Sequence, residues 1–218
     1  MRNRFDRQLL ELNNELIEMG SLIEKAIELA IASFVNQDSS GAKEAILFDE
    51  KIDRQEKIIE SLCMKLLLQQ QPVAKDLRLI SAVLKMITDM ERIGDHAADI
   101  SEMTLLMADS VYEKSKMDIK ILKDMAKETT DMVVKSVEAF VQKDLELARS
   151  VLKQDDKVDA LFQQFKHYLI CLINENVKKG ELAADMLLVS KYFERIGDHA
   201  TNIAEWVIYS ITGVHEEA

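Results

Sequence analysis

Apolar residues recur at steps of three and four along nearly the whole chain, the spacing that places them on one face of an α-helix. Interruptions rich in polar residues, Gly or Pro lie at 36–41, 69–72, 112–115, 143–144 and 176–180. They divide the pattern into six runs of roughly 25–35 residues, and no alternating strand pattern lies between them. We therefore predict six long helices joined by short turns and packed as antiparallel bundles.

The second half of the chain repeats the first. Glu91–Ala97 recurs without change as Glu194–Ala200, at an offset of 103 residues. Residues of the second helix recur at an offset of 106, among them Asp49 as Asp155 and Asp53 as Asp159. A tandem duplication of one helical unit explains both offsets, and the difference of three residues between them lies in a loop. The predicted fold is all-α, two tandem, sequence-duplicated antiparallel three-helix bundles, residues 1–113 and 114–218.

Composition and charge narrow the classes of function. The 218 residues contain one Pro and 6% aromatic residues, which favours long helices over a β fold. With 28 Lys and Arg against 39 Asp and Glu, the net charge of −11 would repel nucleic acid and anionic lipid. No stretch reaches the ~20 apolar residues of a membrane span, and the start of the chain lacks an apolar signal segment. We expect a cytoplasmic protein without direct membrane insertion, with Cys63 and Cys171 as buried free thiols.

Acidic residues form stripes beside the predicted core. In the third helix Glu91, Asp95 and Asp99 recur at steps of four, ~100–180° around the helix from the apolar face. That apolar face comprises Val83, Ile87, Met90, Ile93, Ala97 and Ile100. The sixth helix repeats the arrangement, with Glu194, Asp198 and Asn202 beside Phe193, Ile196, Ala200 and Ile203. The stripes should therefore face outward or lie along an edge of each bundle.

Two interpretations of these stripes remain open. They are either ordinary solvated faces or carboxylates from two adjacent helices that converge on a hard cation, one site in each half. Like charges four residues apart cost a few tenths of a kcal/mol per pair, and the sequence carries them at matched positions of both halves. Gly94 and Gly197, in the middle of the same helices, indicate close helix approach or room for a ligand.

Nothing in the sequence indicates catalysis. His96 and His199 point away from the acidic stripes and are predicted to lie at the core edge or on the surface. No Glu-x-x-His pair of a ferritin-like di-metal oxidase is present, and the six glycines form neither a phosphate loop nor a dinucleotide fingerprint. We predict that the protein is not an enzyme and uses no organic cofactor.

The doubled Glu-Arg-Ile-Gly-Asp, the segment Gln71–Leu79 and the paired Asp-x-x-x-Asp segments closely resemble the PhoU family over nearly the whole chain. The resemblance implies a homodimeric, non-enzymatic, negative regulator of the phosphate-starvation regulon. It implies two partners, the ATPase subunit of the phosphate-specific ABC transporter and the phosphate sensor histidine kinase. It also implies surface metal sites, with iron or zinc first and magnesium or manganese as alternatives.

Matched to the family's motifs by position, the metal-site residues are Asp49, Asp53, Glu91, Asp95 and Asp99 in the first half, and Asp155, Asp159, Glu194, Asp198 and Asn202 in the second. Asn202 replaces the acid found at Asp99, so the second site should bind a hard cation more weakly. Two alternative functions stay open: a metal-dependent enzyme or metal storage protein using these carboxylates, and a metal-free adaptor whose acidic faces bind basic surfaces.

Overall fold

A computed structural model describes residues 2–70, 73–108 and 119–214. Within them the chain forms six helices and no strand: α1 (Arg2–Asn36), α2 (Ser39–Gln70), α3 (Ala74–Ala108), α4 (Lys120–Gln142), α5 (Leu145–Glu175) and α6 (Gly180–Thr212). One 3₁₀ turn, Val177–Lys179, precedes α6. The predicted all-α fold of six helices is thus confirmed. The predicted boundary near residue 113 lies between α3 and α4, outside the described residues.

Local polar contacts end and restart the helices where the sequence predicts breaks. Lys143 ends α4 in the left-handed region with φ 57°, and the Asp144 carboxylate then accepts a hydrogen bond from the Leu147 amide at 3.0 Å. Gln37, with φ 55°, ends α1 in the same way, and the Asp38 carboxylate accepts from the Ser40 amide. These side-chain caps satisfy amides that the first helical turn leaves unpaired.

The apolar faces of all six helices meet in one continuous core. Every predicted core position on α3 and α6 is buried, from Val83 to Ile100 and from Phe193 to Ile203. α3 packs against α6 and α1 against α4, so equivalent helices of the two halves lie side by side. This packing fixes where the polar faces of α2, α3, α5 and α6 can meet.

The two cysteines have different environments. Cys63 is buried in the core, as predicted. Cys171 is exposed, so the prediction of a second buried thiol is wrong. Cys171 lies on α5 one turn after His167, and its sulfur is 3.7 Å from the His167 Nε2. The apolar run around Cys171 suggested burial, but α5 buries only one side of that run, which includes Leu169 and Leu172.

Candidate functional site

The predicted acidic residues lie on two pairs of neighbouring helices. In the first half they belong to α2 and α3, and in the second half to α5 and α6. Most of the ten residues are half-buried, while Asp159 and Asp198 are exposed. The stripes therefore follow the edge of each bundle, as the helical period predicts, and do not enter the core.

An aspartate of one helix lies against a glycine of the next in both halves. Asp49 Oδ1 is 3.4 Å from the position that a Cβ would take at Gly94, and Asp155 Oδ1 is 3.1 Å from the equivalent position at Gly197. Both oxygens are buried and accept no hydrogen bond within the described residues. The two mid-helix glycines thus allow close helix approach. At Gly197 the nearest atom is the Asp155 oxygen, whereas at Gly94 the Ile52 side chain lies nearer than the Asp49 oxygen.

The electrostatic environment of these two aspartates is unfavourable to ionisation. Burial, followed by the charge of Asp95 and then of Asp53, raises the pKa of Asp49 from 3.8 to about 6. Burial, followed by the charges of Asp159 and Asp198, raises the pKa of Asp155 to about 6. Each half thus holds a half-buried carboxyl group whose pKa is raised to about 6, first by burial and then by the charges of acids on two helices.

The neighbouring acids share this environment. Partial burial and the charge of Asp95 raise the pKa of Glu91. Asp198 is exposed as a whole residue, but desolvation of its carboxyl group and the charge of Glu194 raise its pKa as well. Arg92 forms ion pairs within its own helix, with Glu91 at 3.4 Å and with Asp95 at 2.8 Å. It therefore offsets the local negative charge of α3.

The predicted metal-site residues of the first half form one carboxylate cluster, and those of the second half form another. Three further residues make these two clusters unequal, and the sequence analysis did not find them. Glu56 adds an acid to the first cluster, where its charge raises the pKa of Glu91. The equivalent residue of the second half is Phe162, and the Lys191 ammonium lies 5.4 Å from that ring. Lys191 also forms an ion pair with Glu194. Glu56 follows Asp49 and Asp53 on one face of α2 by helical spacing, so extending that stripe by one turn would have found it.

Two predicted ligands have partners elsewhere. The Asn202 amide donates to Asp89 Oδ1 at 3.1 Å, and the same oxygen lies 2.8 Å from the His199 Nδ1. Asp89 belongs to α3, so its contacts with His199 and Asn202 of α6 join the first half of the chain to the second. Asp99 lies 3.2 Å from the Nδ1 of His96, although its charge also raises the pKa of Asp49.

His96 is buried between the halves. Its ring centroid lies 5.5 Å from that of His199 and 5.7 Å from that of Tyr192. The two histidines thus belong to a polar junction between α3 and α6. His199 contacts Asp89, whereas His96 contacts Asp99 at the end of the first acidic stripe, so only His199 agrees with the prediction that both rings point away from the stripes.

Both clusters have the donor atoms that a hard cation prefers. The available groups are carboxylate oxygens, and each cluster includes one buried Asp oxygen without a hydrogen-bond partner among the described residues. Within the described parts of the chain, no three His, Cys, Asp or Glu side chains are already arranged to hold a metal ion. Metal binding at these residues therefore stays a prediction.

Comparison with known proteins identifies the family. A family model described as the PhoU domain matches residues 16–104 and 122–207. A protein of Clostridium acetobutylicum named phosphate-specific transport system accessory protein PhoU homolog is 38% identical over 213 residues, 97% of this chain and 96% of that protein. A Pseudomonas aeruginosa protein with the same name is 30% identical over 210 residues, covering 96% of this chain and 86% of that protein.

A solved structure has the same fold. The crystal structure of PhoU from Pseudomonas aeruginosa superposes with a TM-score of 0.90 at 30% identity, covering 96% of this chain and all of that one. None of the six helices, over their described residues, has a stretch apolar enough to cross a membrane. The resemblance noted in the sequence is confirmed, and the chain belongs to the PhoU family.

Proposed function

We propose that this protein is a non-enzymatic accessory protein of a phosphate-specific transport system and a negative regulator of the phosphate-starvation regulon. In this role it links the phosphate ABC transporter to its sensor histidine kinase and suppresses signalling when phosphate is plentiful. It acts in the cytoplasm, where the ATPase subunit of such a transporter lies, and it acts as a homodimer. Its association with the membrane is indirect, through the transporter.

The observation that carries this proposal is the match to relatives over the whole chain. The Clostridium acetobutylicum relative, named for a phosphate-specific transport system, aligns with 97% of this chain, so both helical repeats are included. Fold alone does not specify function, because helical bundles serve many functions. Support therefore comes from a sequence match whose span includes both helical repeats.

A deletion strain tests the regulatory role. A reporter under a phosphate-regulated promoter should be active at high phosphate when the gene is deleted, and should be repressed again when the wild-type gene is supplied. Normal repression in the deletion strain, with every paralogue also removed, would contradict the proposal. Deleting the sensor kinase gene as well should abolish reporter expression, because regulation is proposed to pass through the kinase.

The transporter link has its own test. The purified protein should bind the isolated ATPase subunit of the phosphate transporter and should not bind the ATPase subunit of an unrelated importer. Binding to neither subunit, under conditions where the phosphate transporter assembles, would remove this part of the proposal. Sedimentation of the purified protein checks the proposed dimer.

We further propose that the two carboxylate clusters bind metal, iron or zinc before magnesium or manganese. Asp49, Asp53, Glu91, Asp95 and Asp99 would hold it in the first half, with Glu56 nearby. Asp155, Asp159, Glu194 and Asp198 would hold it in the second. A bound cation would neutralise acids that repel one another. Elemental analysis of protein purified without chelator tests this.

The same carboxylates could instead serve an enzyme or a metal store. Oxidase and phosphatase assays on the metal-loaded protein separate this alternative from the proposed regulator. Turnover that Asp95→Asn abolishes would favour an enzyme. Binding of many metal ions per chain would favour storage. No turnover and at most a few ions per cluster would support the regulator.

A further inference from the structure

The duplicated segment brings one histidine from each half to the contact between α3 and α6. His96 and His199 hold the same position in the two copies, Glu91–Ala97 and Glu194–Ala200. Their ring centroids are 5.5 Å apart, and the ring planes are inclined at 32°. The two side chains are 11% and 23% exposed, so the pair is partly buried but remains open to solvent.

A carboxylate holds the Nδ1 of each ring. Asp99 lies 3.2 Å from the Nδ1 of His96, and Asp89 lies 2.8 Å from the Nδ1 of His199. Because an ionised carboxylate only accepts hydrogen bonds, each Nδ1 carries a proton, and in the neutral ring Nε2 then keeps a lone pair. Among the described residues neither Nε2 has a hydrogen-bond partner. This tautomer is the one in which Nε2 of a histidine binds a metal ion.

The two carboxylates lie on opposite sides of the ring pair. Along α3, Asp99 is three residues after His96 and Asp89 is seven residues before it, which corresponds to about 4.5 and 10 Å along the helix axis. The ring pair lies between them, since His199 contacts both Asp89 and His96. Each ring therefore turns its Nδ1 outward to a carboxylate, which leaves its Nε2 on the side of the other ring.

The separation of the rings matches that of two imidazoles on one metal ion. In zinc sites the metal lies about 2.0–2.1 Å from each ligating nitrogen, and a tetrahedral angle at the metal then places the two ring centres about 5 Å apart. The observed 5.5 Å requires only a small opening of this angle. A carboxylate on the far nitrogen of each ligating histidine is also a regular feature of metal sites, because it fixes the ring and its tautomer.

The charges around the histidine pair favour a cation. Asp89 and Asp99 contact the rings. Glu102 and Arg195 lie close enough to the adjacent Tyr192 for their charges to affect it. Three carboxylates and one guanidinium thus surround two neutral rings, so the local charge is negative and an anion would be repelled. No third His, Cys, Asp or Glu of the described residues completes a metal site here, so water would fill the remaining coordination positions.

We propose that His96 and His199 together bind one divalent transition-metal ion of the kind that prefers imidazole, such as zinc. Nε2 of each ring is a ligand, and Asp99 and Asp89 position the rings. The site differs from the carboxylate clusters in its donor atoms, because imidazole suits zinc, copper and nickel, whereas oxygen donors suit harder cations. A bound ion joins α3 to α6 and therefore joins the first repeat to the second. The proposal is independent of phosphate regulation and of metal in the carboxylate clusters.

Calorimetric titration of the full-length, chelator-treated protein with Zn²⁺ tests the site, in excess Mg²⁺ to occupy oxygen-only sites. His96→Gln and His199→Gln should each weaken the binding of about one zinc ion per chain by at least about a hundredfold, since each removes one of two protein ligands. Asp89→Asn should weaken it about tenfold, because His199 loses the carboxylate that positions it. His167→Gln, at an exposed histidine on α5, is the matched control and should change it less than about twofold.

Electron paramagnetic resonance of the protein loaded with one equivalent of Cu²⁺ identifies the donor atoms. The copper signal of the wild type should be split by two imidazole nitrogens, and that of either Gln variant by no more than one. A wild-type signal split by one nitrogen or by none would overturn the proposal. Zinc binding that survives both His96→Gln and His199→Gln unchanged would place the metal elsewhere and would overturn it as well. The wild-type spectrum needs no variant, so the test remains decisive if a Gln variant does not fold.

Discussion

Asp49 Oδ1 lies against Gly94, 3.4 Å from the position that a Cβ would take there, and this contact between α2 and α3 recurs between Asp155 and Gly197 of the second half. The repeat places a half-buried carboxylate against a mid-helix glycine twice. In both halves the glycine leaves room for an aspartate oxygen beside a buried aliphatic side chain, Ile52 in the first half and Val158 in the second.

Gly94→Ala should lower the free energy of unfolding by about 1 kcal/mol. The added methyl would lie 2.9 Å from the Ile52 Cδ1, and Ile52 is fully buried. The overpacking cost of about 1–3 kcal/mol exceeds the gain in helix propensity of about 1 kcal/mol.

Gly180→Ala is the control, because nothing lies within 4 Å of its added methyl and its backbone is helical. This variant should raise the free energy of unfolding, measured with urea, by about 0.5 kcal/mol. A stabilising Gly94→Ala would contradict the packing argument.

The raised pKa values of Asp49 and Asp155, each about 6, predict a pH-dependent stability of the metal-free protein. Between the unfolded pKa of 3.8 and the folded pKa, the folded chain binds more protons than the unfolded chain. The contribution of these two groups to stability therefore falls as pH rises through about 6. Above that pH each charged carboxylate lowers the free energy of unfolding by about 1 kcal/mol, after allowance for solvent screening.

Replacing both aspartates by Asn checks this prediction. In urea unfolding with chelator present, the double variant should be more stable than the wild type at about pH 7.5, and the difference should shrink towards about pH 5. Glu44→Gln on the exposed face of α2 should show no such trend. A difference that stays constant over this range would indicate that neither carboxyl group titrates there.

If the clusters bind metal, the first-half cluster should fill first. It contains Asp99 and has Glu56 nearby, whereas in the second half Asn202 is neutral and Lys191 pairs with Glu194. Affinity for a hard cation rises with the number of charged oxygen ligands, and a ligand that binds the folded state stabilises it. Metal should therefore raise the thermal midpoint, and Asp95→Asn should reduce the rise more than Asp198→Asn.

Physiological salt is the control for adventitious binding of cations to exposed carboxylates, because salt screens such contacts. Equal effects of the two variants would remove the asymmetry between the halves. If metal leaves the thermal midpoint unchanged, the interpretation of the stripes as solvated faces would be correct.

The polar junction between the halves should contribute measurably to stability. Asp89 accepts hydrogen bonds from Asn202 and, when the ring nitrogen carries its proton, from His199. Asp89→Ala should lower the free energy of unfolding by about 1–2 kcal/mol, since it leaves partly buried donors without a partner. A double-mutant cycle with His199→Ala should give a coupling of at least about 0.5 kcal/mol. A coupling near zero would show that the contact does not hold the halves together.

The two thiols should react at very different rates. Burial raises the pKa of Cys63 to about 12, and the side chain is inaccessible in the core. Since the thiolate is the reactive form, a disulfide reagent should modify only Cys171 in the folded protein and both thiols in denaturant. Cys171→Ser should abolish the native reaction. Rapid modification of that variant would show that the core opens around Cys63.

The helices and the acidic stripes could be predicted from the sequence because both depend on a local period, and the duplication could be predicted because two segments are identical. A spacing of three and four residues determines which side of α3 is buried, and the buried positions from Val83 to Ile100 follow from it. The same period placed the carboxylates of α2, α3, α5 and α6 along edges. Identity between Glu91–Ala97 and Glu194–Ala200 fixed the equivalence of the halves without reference to any contact.

Only the tertiary structure decided which faces of different helices meet. Asn202 contacts Asp89 rather than its own cluster, and Cys171 is exposed. Neither follows from the period of one helix, because side-chain shape and helix crossing determine which residues of two packed helices touch. The sequence therefore determines which side chains lie on each face of a helix. The packing of the helices determines which other residues those side chains contact.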